Sequence, residues 1–71
     1  MNIKRQRFEK VVENRVNKII HYLELLSNCF NTYNYEYNKD DVEKIFRAIT
    51  KKVNYSKSLF ADSLNKSKFK L

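Results

Sequence analysis

The residues able to do chemistry are few. Cys29 is the one cysteine and His21 the one histidine in 71 residues. A catalytic site needs a nucleophile, a base and an orienting group in a pocket, and a structural zinc needs four ligands. One thiol and one imidazole supply neither. Cys29 therefore reads as a reduced thiol in a cytoplasmic protein, buried as a small hydrophobe at a helix end. His21 has no partner at ligand or triad spacing. Glu9 and Glu13 are four apart, but Arg5 and Lys10 lie beside them, so they read as a solvated ion-pair face. With no glycine anywhere, neither a phosphate-cradling loop nor a dinucleotide fingerprint can form. No catalytic, metal or cofactor site is expected, and the chain reads as a non-enzyme.

Cations are plentiful instead. Fifteen Lys and Arg against eight Asp and Glu give a net charge of +7, which points to an anionic partner: nucleic acid, an acidic protein face or anionic lipid. Lys44, Arg47 and Lys51 recur at i, i+3 and i+7, with Tyr55 one turn further on. On a helix such a row can track a phosphate backbone and end on an aromatic ring. Lys4, Arg5, Arg7 and Lys10 form a second group at the start of the chain. Lys52, Lys57, Lys66 and Lys68 complete the candidate set for binding nucleic acid or an acidic partner. The plainer reading of either group is a solubilising face, and both readings stay open.

The elements that must position these residues follow from the absence of both glycine and proline. Tight hairpin turns of the Asn-Gly kind are missing, which argues against an all-β fold. Apolar residues at Phe8, Val11, Val12, Val16, Ile19, Ile20, Leu23, Leu26 and Phe30 keep helical spacing for six turns, predicting a helix over about 3–27. Asn28 is expected to end it in the left-handed conformation that asparagine tolerates. Residues 31–37 are too polar for helix. The alternation of Tyr33, Tyr35 and Tyr37 predicts an extended stretch that lays rings over the end of the core.

Asn38 can accept from the backbone N–H of Asp41 and so open a second helix, with Asp40 and Asp41 at its positive end. Tyr37 and Val42 have the spacing of a hydrophobic staple. Val42, Ile45, Phe46, Ile49, Val53, Phe60 and Leu64 then fall within about 60° of Val42 on one face at 100° per residue. Poor helix formers from Val53 to Ser58 mark a place where this helix, predicted over about 39–64, can kink or restart near Asn54. Residues 65–71 read as a basic flexible tail.

The fold class is thus all-α: an antiparallel hairpin of two long amphipathic helices over 1–64. Folding about the loop brings Leu26 to Val42, Ile19 to Ile49 and Phe8 to Phe60. The stripe on the first helix is wider than one partner helix covers. A chain this short buries only about 60% of its unfolded surface, so a homodimeric four-helix bundle is expected, with a third helix folding back from Ser58 as the alternative. Arg15 lies inside the stripe and must either snorkel or meet a carboxylate.

In such a hairpin the charges segregate. Residues 1–18 carry +4, residues 19–43 carry −4 and residues 44–71 carry +7. The tip is acidic and the open end basic. Acids opening the second helix and cations towards its end suit the helix dipole; Lys4, Arg5, Arg7 and Lys10 sit at the wrong end for it.

The segments Arg15-Val16-Asn17-Lys18-Ile19-Ile20, Leu25-Leu26-Ser27-Asn28-Cys29, Tyr35-Glu36-Tyr37 and Asp41-Val42-Glu43-Lys44-Ile45-Phe46-Arg47-Ala48-Ile49 resemble a group of short uncharacterised proteins. These are carried on conjugative and phage-like elements of low-GC Gram-positive bacteria. The likeness runs over about residues 5–60. It implies a mobile-element setting and makes Asn28-Cys29 and Tyr35-Glu36-Tyr37 recurring loop parts, but it brings no activity. The leading expectation is a basic helical accessory protein that binds nucleic acid through phosphate contacts. The alternative is a protein-binding modulator, an adaptor or inhibitor of a host or phage complex. A membrane-surface role is disfavoured because each apolar face has a partner in the other.

Overall fold

The computed structural model describes residues 2–65. Helix α1 spans Ile3–Ser27, a 3-10 turn follows at Asn28–Phe30, and helix α2 spans Lys39–Asn65. Among the described residues there is no strand, so the all-α class holds and the helix limits lie within a residue of those expected. The chain divides into two units, Met1–Glu36 and Tyr37–Leu71, one around each helix.

Helix α1 begins on a side-chain cap. Asn2 is extended, and its side-chain oxygen accepts from the Arg5 N–H at 3.1 Å. One of the four orphan donors at the helix start is thereby satisfied. The first turn holds no acid, so Lys4 and Arg5 face the positive end of the dipole without compensation there.

The other end of α1 differs from expectation. Asn28 has φ −66° and ψ −16°, which is right-handed, and no described residue has positive φ. The carbonyls of the last turn are satisfied without a left-handed residue. The Asn28 N–H lies against the carbonyls of Glu24, Leu25 and Leu26, and the Ser27 hydroxyl donates to the Leu23 carbonyl at 2.9 Å. The Cys29 thiol donates to the Leu25 carbonyl at 3.9 Å. Tightening into a 3-10 turn is the other way to close a helix end. Cys29 is exposed, not buried as expected, because it sits on this turn.

At Tyr33 the loop also departs from the extended stretch predicted for part of it. Thr32–Asn34 is a turn: the Tyr33 N–H bonds the Asn31 side-chain oxygen at 2.9 Å, and the N–H groups of Asn34 and Tyr35 reach the Asn31 carbonyl. Asparagine competes with extended backbone by making such local bonds. Tyr33 is consequently 94% exposed and does not lie over a core.

Helix α2 opens on a reciprocal pair. The Asp41 N–H donates to the Asn38 side chain at 2.8 Å, and the Asn38 N–H donates to the Asp41 carboxylate at 3.0 Å. This is a capping box with aspartate in the third position. Asn38→Ala is expected to destabilise α2 by about 1 kcal/mol. Urea unfolding together with faster amide exchange at Asp41 would report it; unchanged exchange would contradict the box.

No break occurs near Asn54. The helix runs without interruption to Asn65, which corrects both the expected kink and the third helix from Ser58. The Ser58 hydroxyl donates to the Tyr55 carbonyl at 2.6 Å, so its competing polar group is used within the helix. Asn65, assigned above to the tail, is the last residue of α2; Lys66–Leu71 lies outside the described residues.

Each helix carries its apolar residues openly. None of the described residues is buried. Val12 and Leu26 on α1 and Ile49 on α2 are half-buried, and the rest are exposed. The stripe of α2 is sharper than that of α1, as the wide arc from Val11 to Ile20 requires. Arg15 is exposed and makes no ion pair with a described residue.

Candidate nucleic-acid interface

The continuous course of α2 determines how its cations are displayed. At 100° per residue Lys44, Arg47 and Lys51 lie within about 40° of one line, on the side opposite Val42, Ile49, Val53 and Phe60. All three are exposed, and none is in an ion pair with a described residue. Tyr55 extends the line by a turn. From Lys44 to Tyr55 the row spans about 16 Å at 1.5 Å per residue.

Beside the row, Phe46, Arg47, Thr50, Lys51 and Asn54 line a shallow open depression on the same helix. Neither Thr50 nor Asn54 is in the candidate binding set read from the sequence. Their signal was available, since both follow Arg47 and Lys51 on the flank at i+3.

Two cations of the candidate set are engaged by neighbours. The Arg5 guanidinium bonds Glu9 at 2.8 Å and lies 5.5 Å from the centre of the Phe8 ring. Arg5 is thus engaged within α1, where the ion-pair face expected around Glu9 is present. The Lys52 ammonium stands 5.6 Å over the Tyr55 ring. That contact was also missed, although i, i+3 spacing on a helix permits it.

Lys4, Arg7 and Lys10 are exposed on α1 without ion-pair partners among the described residues. They belong to the other unit from the α2 row. Lys57 is exposed but points about 60° from Val42, on the margin of the apolar stripe and away from the row. Lys66 and Lys68 lie outside the described residues. His21 rests edge-on to Tyr22, with ring centres 5.9 Å apart, and makes no ion pair with a described residue. No group of three or more His, Cys, Asp or Glu among the described residues could hold a metal. No helix among them is long and apolar enough to cross a membrane.

Comparison of the chain with protein-family models, with curated proteins and with solved structures gives no match.

Proposed function

We propose that this protein is a small basic accessory factor, without enzymatic activity, that binds nucleic acid mainly through phosphate contacts. The observation that carries the reading is the row of Lys44, Arg47 and Lys51: exposed, free of ion pairs with described residues, and opposite the apolar stripe. A cation row used only for solubility gains by interleaving with acids at i+3 or i+4. Here the positions between Lys44 and Tyr55 hold no Asp or Glu, and Asp40 and Glu43, at i−4 from Lys44 and Arg47, form no ion pair with either.

The same proposal closes the two apolar stripes on one another in an antiparallel hairpin and pairs two copies into a four-helix bundle. What supports it is the exposure of Phe8, Ile19, Phe46, Val53 and Phe60, an apolar surface that water disfavours by roughly 25 cal/mol per Å². The mobile-element resemblance supplies the setting, in the cytoplasm of a bacterial host.

Salt dependence tests the binding reading. Each phosphate neutralised contributes a slope of about −0.9 for duplex or −0.7 for a single strand in log K against log salt. Three contacts from the row predict a slope near −2 to −3, measured by fluorescence anisotropy with a labelled oligonucleotide. A flat plot, or no binding at low salt, would overturn the proposal.

One observation favours a second reading. Tyr33 at 94% and Tyr35 at 52% exposure stand open on the loop, and tyrosine is enriched at interface hot spots. On that reading the protein modulates a host or phage complex by docking on an acidic protein surface. Capture of a partner that survives nuclease treatment would select it over the first.

A further inference from the structure

We infer that Tyr55, with Lys51, Lys52 and Leu59, forms a stacking site for one unpaired base, so that the nucleic acid bound is single-stranded. The inference rests on the reading of the cation row as a phosphate track.

The surroundings of Tyr55 are asymmetric. On the preceding turn, Lys51 and Lys52 lie at i−4 and i−3, about 40° and 60° to either side of it around the helix. Lys52 has its ammonium over the ring at 5.6 Å, which orients the ring and leaves the remaining surface open. Tyr55 is 58% exposed. On the following turn stands Leu59, 53% exposed and about 100° from Val42, outside the stripe that accounts for the other large apolar residues of α2. A ring with an aliphatic residue on the following turn and two lysines on the preceding one matches one nucleotide: base on the ring face that Lys52 does not cover, flanking phosphates on the lysines.

A duplex cannot use such a site. Its base faces are occupied by their neighbours, and its grooves present only edges. A single strand has free faces, and base–aromatic stacking is tolerant of sequence. The Ser58 hydroxyl, one turn on, is already bonded to the Tyr55 carbonyl and is not offered to a base edge. Asp62 falls at i+7 from Tyr55 on the same side and ends the positive track. At the stacked rise of about 3.4 Å per nucleotide, the track from Lys44 to Tyr55 accommodates on the order of five nucleotides.

The test compares anisotropy titrations of a short labelled oligothymidylate and a blunt duplex of equal length, at low salt. The wild-type protein is expected to prefer the single strand. Tyr55→Leu keeps an apolar residue in the helix and is expected to weaken oligothymidylate binding about 5- to 150-fold, the equivalent of ~1–3 kcal/mol per stacked base, while duplex binding stays unchanged. Tyr55→Phe retains the platform and is expected to bind like wild type. Duplex preference, or an unaffected Tyr55→Leu, overturns the inference while leaving the phosphate row to be judged by its own salt slope. Failure to bind either probe overturns the underlying reading as well. Should Tyr55→Leu lose helicity in circular dichroism, photocrosslinking of an iodouracil-substituted strand to the wild type replaces it; crosslinked peptides lacking Tyr55 would count against the site.

Discussion

Replacing Ile49 with aspartate is expected to abolish cooperative unfolding and the proposed dimer together. Ile49 is the one half-buried residue of α2 and lies about 20° from Val42, near the middle of the stripe. In the proposed bundle its side chain enters the seam, where an unpaired carboxylate costs several kcal/mol. A core of this size rarely supplies more than about 3–5 kcal/mol, so the cost is comparable to the whole stability. On a helix standing alone, the same change costs no more than about 0.7 kcal/mol of propensity. Thermal melts followed by circular dichroism, with light scattering after size exclusion, distinguish the two cases. Asn54→Asp, outside the stripe, is the control and is expected to shift stability by under about 0.5 kcal/mol. A cooperative, dimeric Ile49→Asp protein would dismiss the bundle.

Charge reversal of the α2 row is expected to have the largest effect on binding. The triple variant Lys44→Glu, Arg47→Glu and Lys51→Glu removes three phosphate contacts and places three anions along the track. Counterion release for three contacts amounts to about three orders of magnitude in affinity at roughly 50 mM salt relative to 1 M, and like-charge repulsion adds to that loss. Helicity should hold, because glutamate is as good a helix former as lysine, and the three sites lie away from the apolar stripe. Reversal at Lys4, Arg7 and Lys10 gives the comparison. An equal loss there would mean that both basic groups face the ligand; a small loss would assign binding to α2. Undiminished affinity in the α2 variant would remove the row from the function altogether.

The two amphipathic helices were legible because their signals are dense and redundant. Nine apolar residues at spacings of one, three and four over 8–30 outweigh any single weak position, and Asn38 three residues before Asp41 marks a cap that the structure contains. The opposition of Lys44, Arg47 and Lys51 to the stripe is also a matter of periodicity. Less legible were places where a short polar side chain chooses among local partners. At Asn28 the expected left-handed end gave way to a 3-10 turn held by the Ser27 hydroxyl and the Cys29 thiol. At Asn54 low propensity pointed to a break that the helix does not make. Both choices turn on a few tenths of a kcal/mol to about one, below what residue preference can rank.

By itself, then, the sequence determined the helical class, the limits of α1 and α2, and the separation of apolar from cationic faces. These depend on hydrogen bonds between residues no more than four apart and on a period of 3.6, so they are written locally. Only the three-dimensional structure decided that α2 runs unbroken past Asn54, that Arg5 is drawn to Glu9 and Phe8, and that Lys52 lies over Tyr55. Those outcomes depend on which rotamer and which neighbour a side chain takes once the backbone is in place. The row from Lys44 to Tyr55 joins the two kinds of information: its alignment comes from the period, and its unbroken length from the continuity of the helix.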